Sequence, residues 1–143
     1  VNRWLMFGHK LSKDTIRLYG LDRIESMEIT EQEYKLPKDF SASEYFSNYF
    51  GIVTDDRVKP ERVILRADKN HTPYLKSLPL HHSQRLIEDT GEYADFELYL
   101  SPTYDFVMKL LQTGAMIEVI EPVSLRKAMK GWIYEMHELY KND

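Results

Sequence analysis

The sequence predicts an α+β fold in two parts: a small curled β-sheet, then a ferredoxin-like β-α-β-β-α-β domain with a C-terminal helix. Three observations carry this. "RWLMFG" and "IRLYGLDRI" read as two short strands joined by the polar connector "HKLSKDT", which has turn chemistry. From Pro60 onward, stretches of period two alternate with helical stretches around a central pair of strands, the pattern of a split β-α-β arrangement. Leu125, Met129, Trp132, Met136 and Leu139 then recur at steps of three and four, the spacing of one helix face. The implied boundaries are 1–36 for the first β module, 37–55 for a helical connector and 56–143 for the second domain.

Element by element, the first strand spans the apolar, aromatic "NRWLMFG" and the second runs from Ile16 through Ile24. Gly20 in its middle permits a sharp bend, and a third short strand is expected around "SMEITEQ". Pro37 interrupts the pattern, and Ser41 with Glu44 matches the S-x-x-E start of a helix that Gly51 ends. "ERVILRA" is a strand with Val63 and Leu65 on one side and Ile64 on the other. "NHTPYLKSL" is a short helix with Pro73 in its first turn. "LHHSQRLIED" and "YADFELYLS" are strands separated by Thr90-Gly91, and Phe96, Leu98 and Leu100 alternate against Glu97 and Tyr99. Ser101-Pro102 reads as an N-cap followed by proline at the first helical position. Phe106, Val107, Leu110 and Leu111 share a helix face that Gly114 closes, "AMIEVIEP" is the last strand, and Pro122 opens the final helix.

The chain has 143 residues, of which 29% are charged, a globular composition. No apolar run approaches the roughly 18 residues of a membrane span, and no signal-peptide pattern is present. The absence of cysteine excludes disulfide and thiolate chemistry and fits a reducing cytoplasm. An initial Val in place of Met leads us to expect a piece of a longer protein. Charge is unevenly distributed: Arg3, Lys10, Lys13, Arg17 and Arg23 against Asp14 and Asp22 give the first 24 residues +3, leaving −7 of the total −4 to the remainder. An acidic majority argues against the whole chain coating duplex DNA, whereas a basic start suits a small anion or single-stranded nucleic acid.

Strand parity places Arg17, Tyr19, Leu21 and Arg23 on one face, opposite Ile16, Leu18, Gly20, Asp22 and Ile24. Guanidinium groups bind phosphate through a planar fork, and two of them roughly 20 Å apart would flank a ligand longer than one nucleotide. Tyr19 between them offers a stacking surface. The competing reading is a solvated strand face, with Arg23 held by an acidic neighbour. Asp22 is expected to accept backbone N–H groups at a bend. Trp4 is expected to pack inside, with ligand contact as the alternative. His81 and His82, as strand neighbours, should point apart, which together with the lack of cysteine argues against a metal. No G-x-S-x-G elbow or phosphate loop is present, so no enzyme activity and no cofactor are expected. The last helix stripe is core or a dimer face.

"RWLMFG" followed by "IRLYGLDRI" resembles the WYL domain of bacterial transcriptional regulators. "YFGI", "PERVIL", "LPLHHSQ" and "LLQTGAMIEVIEP" resemble the C-terminal extension called WCX. Leu5 and Met6 stand where the family has tyrosine and leucine, and Tyr19 replaces its phenylalanine. The resemblance implies a partial Sm/SH3-like β-barrel, incomplete at its N-terminus, with an open edge on the "RWLMFG" strand. It also implies a regulatory role: sensing single-stranded nucleic acid or a nucleotide-like ligand through Arg17, Arg23, Tyr19 and Trp4. DNA would be bound through an upstream helix-turn-helix absent from this sequence, in a cytoplasmic homodimer.

Overall fold

The computed structural model describes residues 4–10, 15–33 and 38–141. The chain divides into two compact units, Val1–Pro37 and Lys38–Asp143. It is a mixed helix-and-sheet protein with two antiparallel sheets.

The first unit holds β1 (Leu5–Lys10) and β2 (Thr15–Gly20), paired antiparallel from Leu5 opposite Gly20 to Lys10 opposite Thr15. The pairing continues one step outward, where the Leu21 amide donates to the Trp4 carbonyl at 3.1 Å. Two expectations fail beyond this point. β2 ends at Gly20, and Leu21–Arg23 form a 3-10 turn instead of continuing to Ile24. Residues 24–33 contain no helix or strand, so the third strand is not formed. Alternation alone does not make a strand; it needs a neighbouring ladder, and Met27 and Ile29 are exposed.

The second unit begins with α1 (Ala42–Phe46), whose N-cap Ser41 accepts from the Glu44 amide at 3.3 Å. β3 (Glu61–Asp68), α2 (Thr72–Ser77), β4 (Arg85–Asp89), β5 (Tyr93–Leu100), α3 (Tyr104–Gln112), β6 (Ile117–Glu121) and α4 (Val123–Leu139) follow. The sheet order is β4-β5-β3-β6, antiparallel throughout. Register is pinned by parity: Val63, Leu65 and Ala67 of β3 join Ala94, Phe96, Leu98 and Leu100 of β5 on the inner face, with Ile117 and Val119 of β6. Leu75 of α2, Phe106, Val107 and Leu110 of α3, and Leu125 and Met129 of α4 complete this core. Each fully buried aliphatic or aromatic side chain contributes on the order of 1.5–3 kcal/mol.

α3 starts two residues later than the Ser101-Pro102 pattern predicts, with Thr103 at the N-cap. The reason is strand pairing: the Ser101 amide donates to the Asn48 carbonyl at 2.7 Å, and Ser101 bridges to Tyr49 in parallel, so the extended conformation persists past Leu100. Asp105, in the first turn of α3, accepts from the Phe106 amide at 3.0 Å and from the Val53 amide at 3.2 Å, which ties the segment after α1 to the helix. The apolar stripe of α4 divides. Leu125 and Met129 are core, whereas Trp132, Met136 and Leu139 are exposed. Among the described residues no helix is long and apolar enough to cross a membrane.

Candidate functional site

Opposed residues of an antiparallel pair share a face. Arg17 lies opposite Gly8 and Tyr19 opposite Met6, so Arg17, Tyr19, Met6 and Gly8 occupy one side of the hairpin. Tyr19 lies across Gly8: a Cβ built on Gly8 would stand 2.8 Å from Cδ2 and Cε2 of the ring. The bare backbone at position 8 is what lets the ring lie there. The same alternation, extended by the Leu21–Trp4 hydrogen bond, brings Trp4 to this side.

Trp4 is 79% exposed and Tyr19 38% exposed. The expectation that Trp4 packs inside is therefore corrected; it precedes β1 and has little covering it. Arg17 is exposed and, among the described residues, has no carboxylate within ion-pair distance.

Arg23 does not join this face. A Cβ on Gly20 would meet Asp22 Oδ1 at 2.5 Å and Arg23 Nε and Nη2 at 3.1 Å. That Cβ would share the side of Leu18, opposite Arg17 and Tyr19. The cause is the 3-10 turn, which rotates successive side chains by about 120° and so breaks the period of two. Gly20, without a side chain, leaves room for the guanidinium to fold back. The wall formed by Arg17 and Arg23 together is thus replaced by a single arginine beside exposed aromatics.

His81 and His82 also differ from expectation. They lie in the turn before β4, not on a strand, and their ring centroids are 4.1 Å apart. His81 is buried, with Nε2 3.0 Å from the Ser47 carbonyl oxygen and Nδ1 2.7 Å from Ser83 Oγ. Burial first, and then the neighbouring His82, push its pKa down, against the opposing pull of the Ser47 carbonyl. Among the described residues no cluster of three His, Cys, Asp or Glu side chains could hold a metal.

The outer face of the second sheet carries charge that sequence reasoning overlooked. Arg66 bonds Asp95 through Nε and Nη2, both at 2.8 Å, and its guanidinium carbon lies 3.8 Å from the Tyr93 ring centroid. Arg62 pairs with Glu97 and Glu121, and Arg85 with Glu97. These bonds from Arg85 and Arg62 hold the Glu97 carboxyl below the usual carboxylate range. The signal was available in "ERVILRAD" against "YADFELYL", where Arg62 and Arg66 alternate with core residues opposite a strand carrying Asp95 and Glu97. With their guanidinium groups matched to carboxylates, these arginines do not offer a free cationic surface.

The mixed sheet and helix of the second unit falls within a known class. Residues 59–136, just over half of the chain, match the WCX domain, and the chain belongs to that family. No curated protein matches the sequence. Among solved structures, proteasome accessory factor B/C (PafBC) of Arthrobacter aurescens is similar at 18% identity and a TM-score of 0.39. That similarity covers 89% of this chain and 19% of that one, so the chain spans about a fifth of its length.

Proposed function

We propose that this chain is the ligand-sensing and oligomerisation region of a bacterial transcriptional regulator. Its first hairpin would take single-stranded nucleic acid or a nucleotide. The observation that carries the reading is the grouping of Arg17, without an ion-pair partner among the described residues, with exposed Tyr19 and Trp4 on one face of β1-β2. A guanidinium supplies the phosphate contact and the rings supply sequence-tolerant stacking. Membership of the WCX family and the WYL-like character of "IRLYGLDRI" support a regulatory setting. In that setting the first unit is part of an Sm-like barrel, and DNA is bound by a helix-turn-helix elsewhere in a cytoplasmic parent protein. The order β4-β5-β3-β6 supports a ferredoxin-like reading of the second unit.

Titration of a labelled oligonucleotide at several salt concentrations tests this. Tyr19→Ala should weaken binding by about 1–3 kcal/mol. Arg17→Ala should lower the salt slope by about 0.7. Arg23→Ala should change affinity less than Arg17→Ala. Equal affinity of wild type, Arg17→Ala and Tyr19→Ala would refute the reading.

A second reading, association of two copies without any ligand, is favoured by one observation: Trp132 and Leu139 stand exposed on α4. Sedimentation of the chain should then show a dimer that Trp132→Glu dissociates; a monomer at all concentrations would remove it.

A further inference from the structure

A groove of about 640 Å³ runs between α4 and β6, lined entirely by residues of the second unit. Its volume falls in the range of small-molecule sites, about 300–1,000 Å³. Ile117 and Val119 form its floor, and Met129, Ile133 and Met136 project from α4. Ile133 is 55% exposed and Met136 46% exposed, so a sizeable apolar strip stands open to water. Methionine side chains adapt to irregular apolar shapes, which suits a flexible chain or a ring.

The polar groups of the groove decide what would fill it. Glu118 is its one carboxylate among the described residues and is engaged by Arg126 at 2.6 Å. Lys130, one turn further along α4, has no ion-pair partner among the described residues. An apolar cleft with one uncompensated ammonium group at its wall is complementary to an organic anion with an apolar body. An extended peptide fits less well. Arg126 Nη1 also donates to the Val119 carbonyl at 2.6 Å, which occupies a backbone acceptor that an added strand would need.

We propose that this groove binds an amphipathic carboxylate, an acyl or aryl acid, with its carboxylate at Lys130 and its apolar body over Ile117, Ile133 and Met136. The site is independent of the nucleic-acid reading, since it uses no residue of the first unit.

Calorimetric titration of the full chain with sodium decanoate, below its micellar concentration, tests the proposal, with decanol as the uncharged comparison. Wild type should bind decanoate saturably. Lys130→Gln should weaken decanoate binding about tenfold, the scale of a lost charge-assisted hydrogen bond, while leaving decanol binding unchanged. Ile133→Asp, at an exposed position that folding does not require to be apolar, should abolish binding of both. Oligonucleotide binding by both variants should match wild type, which separates this test from that of the hairpin. No saturable decanoate binding by wild type would overturn the proposal. So would equal weakening of acid and alcohol by Lys130→Gln, or a dimer that Ile133→Asp dissociates without any decanoate effect in wild type.

Discussion

Arg66 and Asp95 face each other across β3 and β5, joined by two parallel hydrogen bonds of 2.8 Å, and the same guanidinium covers the ring of Tyr93. The two-pronged geometry fixes the arginine plane, which a single contact would leave free to rotate.

From this pairing, Arg66→Met and Asp95→Asn should each lower stability, and the double variant should lose less than the sum of the two. Each single change strands the other partner's charge on the sheet. Urea unfolding of all four proteins in a double-mutant cycle measures the coupling; strict additivity would show the pair to be idle.

Gly51 sits against Asp105, and a Cβ there would stand 2.5 Å from Asp105 Oδ2, the oxygen that accepts from the Val53 amide. Gly51→Ala should push the carboxylate off that amide and cost about 1 kcal/mol, the net worth of one hydrogen bond. In an Asp105→Ala background the same substitution should cost much less. Chemical denaturation of both pairs checks this.

The Ser47 carbonyl can only accept, so the His81 Nε2 carries the proton that points at it; burial, and after it the neighbouring His82, disfavour a second proton on the ring. Its pKa in the folded protein lies below the usual histidine value of about 6.5. Between the lowered folded value and the unfolded value, the unfolded chain binds more protons, so acid favours unfolding. The contribution of His81 is complete above about pH 6.5 and lost as pH falls through the folded pKa. Stability should therefore drop more between about pH 7.5 and 5.5 in wild type than in His81→Gln, whose amide can still donate to Ser47. Urea midpoints at the two pH values give the comparison.

Where the sequence was legible, the reason was two-sided packing. Phe96, Leu98 and Leu100 alternate because one side of β5 faces α3 and α4, and the sequence shows that alternation directly. The order of elements after Pro60 was readable largely for the same reason, since β3, β5, α3, β6 and the first turns of α4 each have a buried side with its own period, whereas β4 is exposed at every position. The hairpin was less legible. Arg17, Tyr19 and Arg23 lie two and four residues apart in an alternating pattern, but the pattern says nothing about where pairing ends, and Gly20 ends it. Trp4 and Trp132 illustrate a second limit: a large apolar side chain looks like core wherever it stands, and only the neighbouring elements decide whether it is covered. Ser101-Pro102 had the chemistry of a helix start, and a long-range bond to Asn48 overrode it.

On one flank of the four-stranded sheet, Arg126 sits over the Val119 carbonyl of β6. On the other, β4 carries an irregularity between Leu86 and Glu88, where its register against β5 shifts. Such a kink spoils the flat strip of amides and carbonyls that another strand would copy. The width of the sheet is thereby set at four, by a side chain at one margin and a surplus residue at the other. Any second molecule meeting this unit edge-on is steered away from templated growth and toward contacts made by side chains.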